Sequence, residues 1–172
     1  MPPTKLAHVV FQTNRLKEMS DWYCSVLGGH IVYQNPHLCF VTYDEEHHRV
    51  AFLDPGPLVE RQPDAAGLNH VAFTFAGLDD LAENYLRLKK IGISPHRCVN
   101  HGVTTSMYYS DPDNNQVELL VDNFATASEG KAYMQGRSVS DKNPVGIVYE
   151  PDELVTRVRA GLRIEELASI NA

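Results

Sequence analysis

Two stretches of the chain carry the same succession of apolar and polar positions. In "KLAHVVFQTNRLKEMSDWYCSVLGG" and "GLNHVAFTFAGLDDLAENYLRLKKIG", Leu6, His8, Val9 and Phe11 fall in line with Leu68, His70, Val71 and Phe73. Leu16, Met19 and Tyr23 fall in line with Leu78, Leu81 and Tyr85 at the same offset of 62 residues. Self-similarity at a fixed offset marks a repeated structural unit. Each copy opens on a short β-branched and apolar run, which predicts a strand. A helix-period segment follows, with Leu16, Met19, Tyr23 and Leu27 in the first copy and Leu78, Leu81, Tyr85 and Leu88 in the second. Asp79 and Asp80 suit the first turn of the second helix, and Gly28-Gly29 and Gly92 suit the stops. Three more strand-like runs close each copy: "HIVYQ", "LCFVTY" and "RVAFLD", then "SPHRCV", "TSMYYS" and "QVELLVD". Each copy reads βαβββ.

The pattern predicts an α+β protein with modules at about 5–55 and 67–123, joined by the Pro- and Gly-rich "PGPLVERQPDAAG". Together they make a domain over 1–125, followed by a C-terminal helical extension over 126–172. In that tail "FATASEGKAYMQGRS" reads as helical and then irregular. "PDELVTRVRAGL" reads as a short amphipathic helix opened by Pro151 and closed by Gly161. Packing or a dimer contact is the expected role of the tail.

Charge and composition narrow the function. A net charge of −7 with no Lys/Arg cluster excludes phosphate-backbone binding. No apolar run approaches the length of a membrane span, and "MPPTKLAHVV" is not a signal peptide. Cys24, Cys39 and Cys98 are odd in number and lack metal-type spacing, which predicts free thiols in a reducing cytoplasm.

The repeat also places chemistry. His8 and His70 occupy the same position in the two opening strands, and a pseudo-twofold relation would bring them together. Glu118 lies between Val117 and Leu119, a costly place for an unpaired carboxylate. The matching position in the first copy is Ala51. Two histidines and one carboxylate suit a non-heme Fe(II) site with open positions. The competing reading is two buried histidines and a carboxylate paired elsewhere.

The repeat, "LAHVVF", "LNHVAF" and "MYYSDPDNNQVELL" resemble the vicinal oxygen chelate superfamily, which includes glyoxalase, bleomycin- and fosfomycin-resistance proteins and type I extradiol dioxygenases. The resemblance covers residues 5 to about 123 and implies one cup-shaped mixed sheet around a metal held by His8, His70 and Glu118. "EEHHRVAF" resembles the extradiol segment that carries an acid–base histidine three residues before an alanine, here His48 and Ala51. Simple alternation would put His47 on the face of Ala51, so the resemblance implies a bulge or a position outside regular pairing for His48. The substrate-contacting tyrosine of that branch lies ten residues before the glutamate ligand, the place of Tyr108. If "DPDNN" turns about Asp113, residues 108 and 118 face each other across a hairpin, with Cβ atoms roughly 5 Å apart. Asn114 stands where the family turn has Gly, and Asn tolerates φ > 0. His101 falls where the family has a polar residue reaching the substrate. His30, His37 and His96 are expected on the surface or rim.

The resemblance implies an extradiol ring-cleaving dioxygenase of a small catechol-type diol such as 2,3-dihydroxybiphenyl. It would use Fe(II), or Mn(II), with O2 as co-substrate and no organic cofactor, as a cytoplasmic homodimer without nucleic-acid or membrane partners. The first ligand at residue 8 leads us to expect the single-domain form, lacking the N-terminal domain of many extradiol enzymes. Three alternatives compete. A fosfomycin-resistance-like transferase would need cations for its substrate, and no Lys or Arg follows Glu118 before Lys131. A glyoxalase-like isomerase would miss a ligand at Ala51. A bleomycin-resistance-like binding module would not need the metal triad.

Overall fold

The computed structural model describes residues 1–60, 62, 66–138 and 145–169. Residues 61 and 63–65 of the expected linker, and 139–144 and 170–172 of the expected extension, lie outside the described residues.

The first module runs β1 (Val9–Gln12), α1 (Leu16–Leu27), β2 (His30–Asn35), β3 (Leu38–Thr42) and β4 (Val50–Leu53). The second runs β5 (His70–Thr74), α2 (Leu78–Lys90), β6 (Arg97–Asn100), β7 (Thr104–Ser110) and β8 (Gln116–Asp122). The tail adds α3 (Ala127–Gly136), β9 (Ile147–Val148), α4 (Pro151–Arg159) and α5 (Ile164–Ser169). The α+β class and the βαβββ order are those expected. Hydrogen bonding divides the strands into two sheets, one per module, in place of the single sheet expected. Their orders are β1-β4-β3-β2 and β5-β8-β7-β6-β9. In each, the opening strand pairs in parallel with the module's own last strand. Contacts within the chain define two compact units, Met1–Gly67 with Asp111–Asn115, and Leu68–Ser110 with Gln116–Ala172.

The helices form because their apolar stripes have a sheet to cover. α1 buries Met19, Tyr23 and Val26, while Leu16 and Leu27 at its ends are only half-buried. Tyr23 packs against Phe11 and Phe52. α2 buries Leu78, Leu81, Tyr85 and Leu88. Full burial of a leucine such as Leu81 or Leu88 contributes about 2 kcal/mol. Gly28 stops α1 in the left-handed conformation at φ 65°.

Three boundaries differ from expectation. β6 starts at Arg97 and not Ser94, since Pro95 has no N–H for a ladder. His8 precedes β1 by one residue, whereas His70 begins β5. The irregular stretch of the tail contains β9, which pairs antiparallel with β6. α3 is fixed by a reciprocal cap between Thr126 and Glu129. α4 docks on α2, where Tyr85 donates to Asp152 at 2.9 Å and Lys89 to both Asp152 oxygens at 2.7 Å. Cys39 and Cys98 are buried and Cys24 half-buried, all as free thiols. Burial raises all three above the usual thiol range, Cys98 to about 12. No helix among the described residues is long and apolar enough to cross a membrane.

Candidate active site

The β7–β8 hairpin sets the first group of side chains. Its turn is held by Asp111, whose carboxylate accepts from the backbone N–H of Asp113 and Asn115 and from the Asn115 amide. Asn114 takes φ 60° there, as expected for a residue standing in for glycine. The register that follows places Tyr108 directly opposite Glu118. The Tyr108 hydroxyl donates to Glu118 Oε1 at 3.0 Å. His70, at the start of the neighbouring β5, brings Nε2 to 3.0 Å from Glu118 Oε2. His101, in the loop between β6 and β7, places Nε2 2.9 Å from the Tyr108 hydroxyl. Four of the expected site residues thus form one connected cluster within one unit.

Glu118 is 5% exposed, and among the described residues no Lys or Arg pairs with it. Its neighbours are a phenol and an imidazole. The Nδ1 of that imidazole lies 2.7 Å from the Asn69 Oδ1, which can only accept, so Nδ1 carries the proton. In a neutral His70 the Nε2 lone pair therefore points at a carboxylate. A divalent cation between such a pair satisfies both, and an outer carbonyl on the second nitrogen is the usual way a metal-binding histidine is fixed. The donor set fits a metal ion. Burial, then the Glu118 charge, pushes the Tyr108 phenol well above its ordinary range, so it stays a hydrogen-bond donor.

The other expected residues lie in the first module. His48 sits before β4 and outside its pairing, so strand alternation does not govern it. Its ring stacks on Phe40 with centroids 4.4 Å apart and planes 8° apart, and packs 4.4 Å from the His8 ring. His47 Nδ1 lies 2.7 Å from His48 Nδ1. Burial, then the His8 and His47 charges, lowers His48 below the ordinary imidazole range, so near neutral pH it is a neutral base. The segment is held by Arg49, which bonds Asp44 at 2.9 Å and the carbonyls of Leu6 and Ala7 at 3.3 Å.

Among the described residues no three His, Cys, Asp or Glu side chains are close enough to hold a metal ion. The structure pairs His70 with Glu118 in one unit and His8 with His48 in the other. Asn69 and Arg49 were not anticipated. Asn69 stands where the first copy has Ala7, a difference visible once the repeat is aligned. Nothing in the sequence around Arg49 marks its bonds to backbone carbonyls.

A family model described as the Glyoxalase/Bleomycin resistance protein/Dioxygenase superfamily matches residues 5–119. The chain is 49% identical to Biphenyl-2,3-diol 1,2-dioxygenase 2 of Rhodococcus globerulus, over 96% of this chain and 87% of that one. It is 50% identical to Biphenyl-2,3-diol 1,2-dioxygenase 3 of the same organism, over the same shares. The crystal structure of a lactoylglutathione lyase from Agrobacterium tumefaciens matches the fold with a TM-score of 0.57 at 21% identity, covering 70% of this chain and 96% of that one.

Proposed function

The chain belongs to the glyoxalase/bleomycin resistance protein/dioxygenase superfamily, and from that premise we propose that it is an extradiol dioxygenase opening the ring of a small aromatic vicinal diol. The observation that carries this reading is the 49–50% identity to two biphenyl-2,3-diol 1,2-dioxygenases along 96% of the chain.

We assign His8, His70 and Glu118 as ligands of an Fe(II) ion. The 3.0 Å approach of His70 to a buried carboxylate without a Lys or Arg partner supports the second and third. The position of His8 in the repeat supports the first. When bound, the ion supplies Lewis acidity toward the two diol oxygens and an electron path to O2. Tyr108 hydrogen-bonds a substrate oxygen, and its high phenol pKa keeps the proton on it. His101, whose Nε2 lies 2.9 Å from the Tyr108 hydroxyl, supports Tyr108 and is the second substrate-side polar group. His48 takes one diol proton as a neutral base and returns it during ring opening. The Phe40 stack holds its ring for that task. Both oxygen atoms enter the product, an open-chain acid with a conjugated semialdehyde or ketone, and no organic cofactor is needed.

Ala51 offers no donor in the row that matches Glu118, which disfavours an isomerase needing a fourth ligand. We further propose a cytoplasmic homodimer. The exposed Ile31, Val32 and Tyr33 on the edge strand β2 support the dimer, and three free thiols support the compartment.

The test is anaerobic loading with Fe(II) or Mn(II), then 2,3-dihydroxybiphenyl or catechol in air. We expect a yellow ring-opened product and stoichiometric O2 uptake, with Fe(II) preferred. Metal uptake without O2 consumption across a panel of diols would overturn the proposal.

A further inference from the structure

The tail reaches the candidate site. β9 adds to the edge of β6, with Val148 opposite Val99 and Ile147 opposite Asn100. The preceding residue, Gly146, lies against the Asn100–His101 peptide at φ 114°. A Cβ there would sit 2.2 Å from the Asn100 carbonyl oxygen and 2.8 Å from the His101 Cα. Backbone cannot yield by that amount, so only glycine lets the tail approach this closely. Val145 then presents its carbonyl to His101 Nδ1 in a short hydrogen bond. A carbonyl only accepts, so Nδ1 must carry a proton. In the neutral ring, Nε2 is then an acceptor facing the Tyr108 hydroxyl at 2.9 Å. The single phenol proton has two acceptors, His101 Nε2 and Glu118 Oε1.

We propose that the C-terminal tail is part of the active site, with Gly146 and the Val145 carbonyl as positioning groups that hold His101 in its Nδ1–H form. With Glu118 engaged by a metal, Tyr108 turns its proton to His101 Nε2. Its oxygen lone pairs then face outward to accept from a substrate hydroxyl. The tail thereby sets which hydrogen-bonding face the phenol shows. This rests on the reading of Tyr108 as a substrate-facing group, but the state of the His101 ring is measurable without turnover.

The experiment is long-range proton–nitrogen NMR of the 15N-labelled full-length protein, with and without Zn(II) as a diamagnetic ion for the same donors. It is run at mildly alkaline pH, where an ordinary imidazole is neutral. The His101 signals are assigned by their loss in His101→Gln. Wild type is expected to show the Nδ1–H form. Gly146→Ala is expected to lose it, and to lower kcat about tenfold with a smaller change in KM, as for other groups that orient site residues. Gly136→Ala, where a Cβ meets nothing within 4 Å, should change neither. An Nε2–H form of His101 in wild type overturns the proposal whether or not the variant folds. A folded Gly146→Ala that keeps the Nδ1–H form overturns it as well. The expected ring states in a protein that turns over no diol would support the tail's role while removing the dioxygenase reading.

Discussion

Matching rows cross the two sheets with opposite chemistry. In the first module the row reads Val10, Ala51, Phe40 and Tyr33 across β1, β4, β3 and β2. In the second it reads Ala72, Glu118, Tyr108 and Arg97 across β5, β8, β7 and β6. One scaffold thus holds Val10, Ala51 and Phe40 with an exposed edge tyrosine in one copy, and a buried carboxylate facing a phenol, with an edge guanidinium, in the other. Ala51 and Glu118 are similarly buried, at 2% and 5% exposure. A carboxylate at that depth is tolerated where a hydroxyl stands opposite and an imidazole beside it. The phenyl of Phe40 cannot supply the hydroxyl and stacks on His48 instead. The difference teaches that the repeat divides labour: one copy stacks an imidazole on a phenyl ring, the other sets a buried carboxylate between a phenol and an imidazole.

Turning the second row into the first is expected to have the largest effect. Glu118→Ala should abolish turnover and metal retention together, read by metal analysis and O2 uptake. Full metal content in that variant would break the comparison. Next, His48→Ala should lower kcat by about 10²–10⁴-fold, the usual range for a lost acid–base group. Metal content should be unchanged in this variant.

The reverse exchange, Ala51→Glu, should destabilise the metal-free fold by about 3 kcal/mol, because its neighbours across the row are Val10 and Phe40, which offer no hydrogen bond to a buried carboxylate. Urea unfolding measures it, and a neutral result would mean the first row is not constrained by burial. Adding Phe40→Tyr to that variant should recover about 1 kcal/mol by supplying the missing donor, read as coupling in a double-mutant cycle. The smallest effect concerns the helices. α2 starts at Gly77 without a side-chain cap, and a Cβ there meets nothing within 4 Å. Gly77→Asp should therefore raise stability by a few tenths of a kcal/mol in thermal melts.

The division between rows was largely legible in the sequence. The offset of 62 aligned His8 with His70, and the last strands aligned Ala51 with Glu118. The hairpin about Asp113 fixed Tyr108 opposite Glu118, because a tight turn leaves one register. Phase errors were small and physical: Val26, not Leu27, completes the buried stripe of α1. What stayed hidden runs through the backbone. β9 is two residues long and carries no alternation, and the Val145 carbonyl at His101 has no side-chain signature. His48 needed the resemblance, since it lies beyond the strand whose periodicity would have assigned it.

The three thiols carry a consequence for durability. Oxidation by reactive oxygen species starts from the thiolate. Burial raises Cys24, Cys39 and Cys98 and holds Cys98 at about 12, so almost none of that thiol is ionised at working pH. A protein that handles dioxygen beside its own sulfur would otherwise wear out through sulfenic acid formation. With its thiols kept protonated and largely enclosed, inactivation during turnover should not begin at Cys24, Cys39 or Cys98.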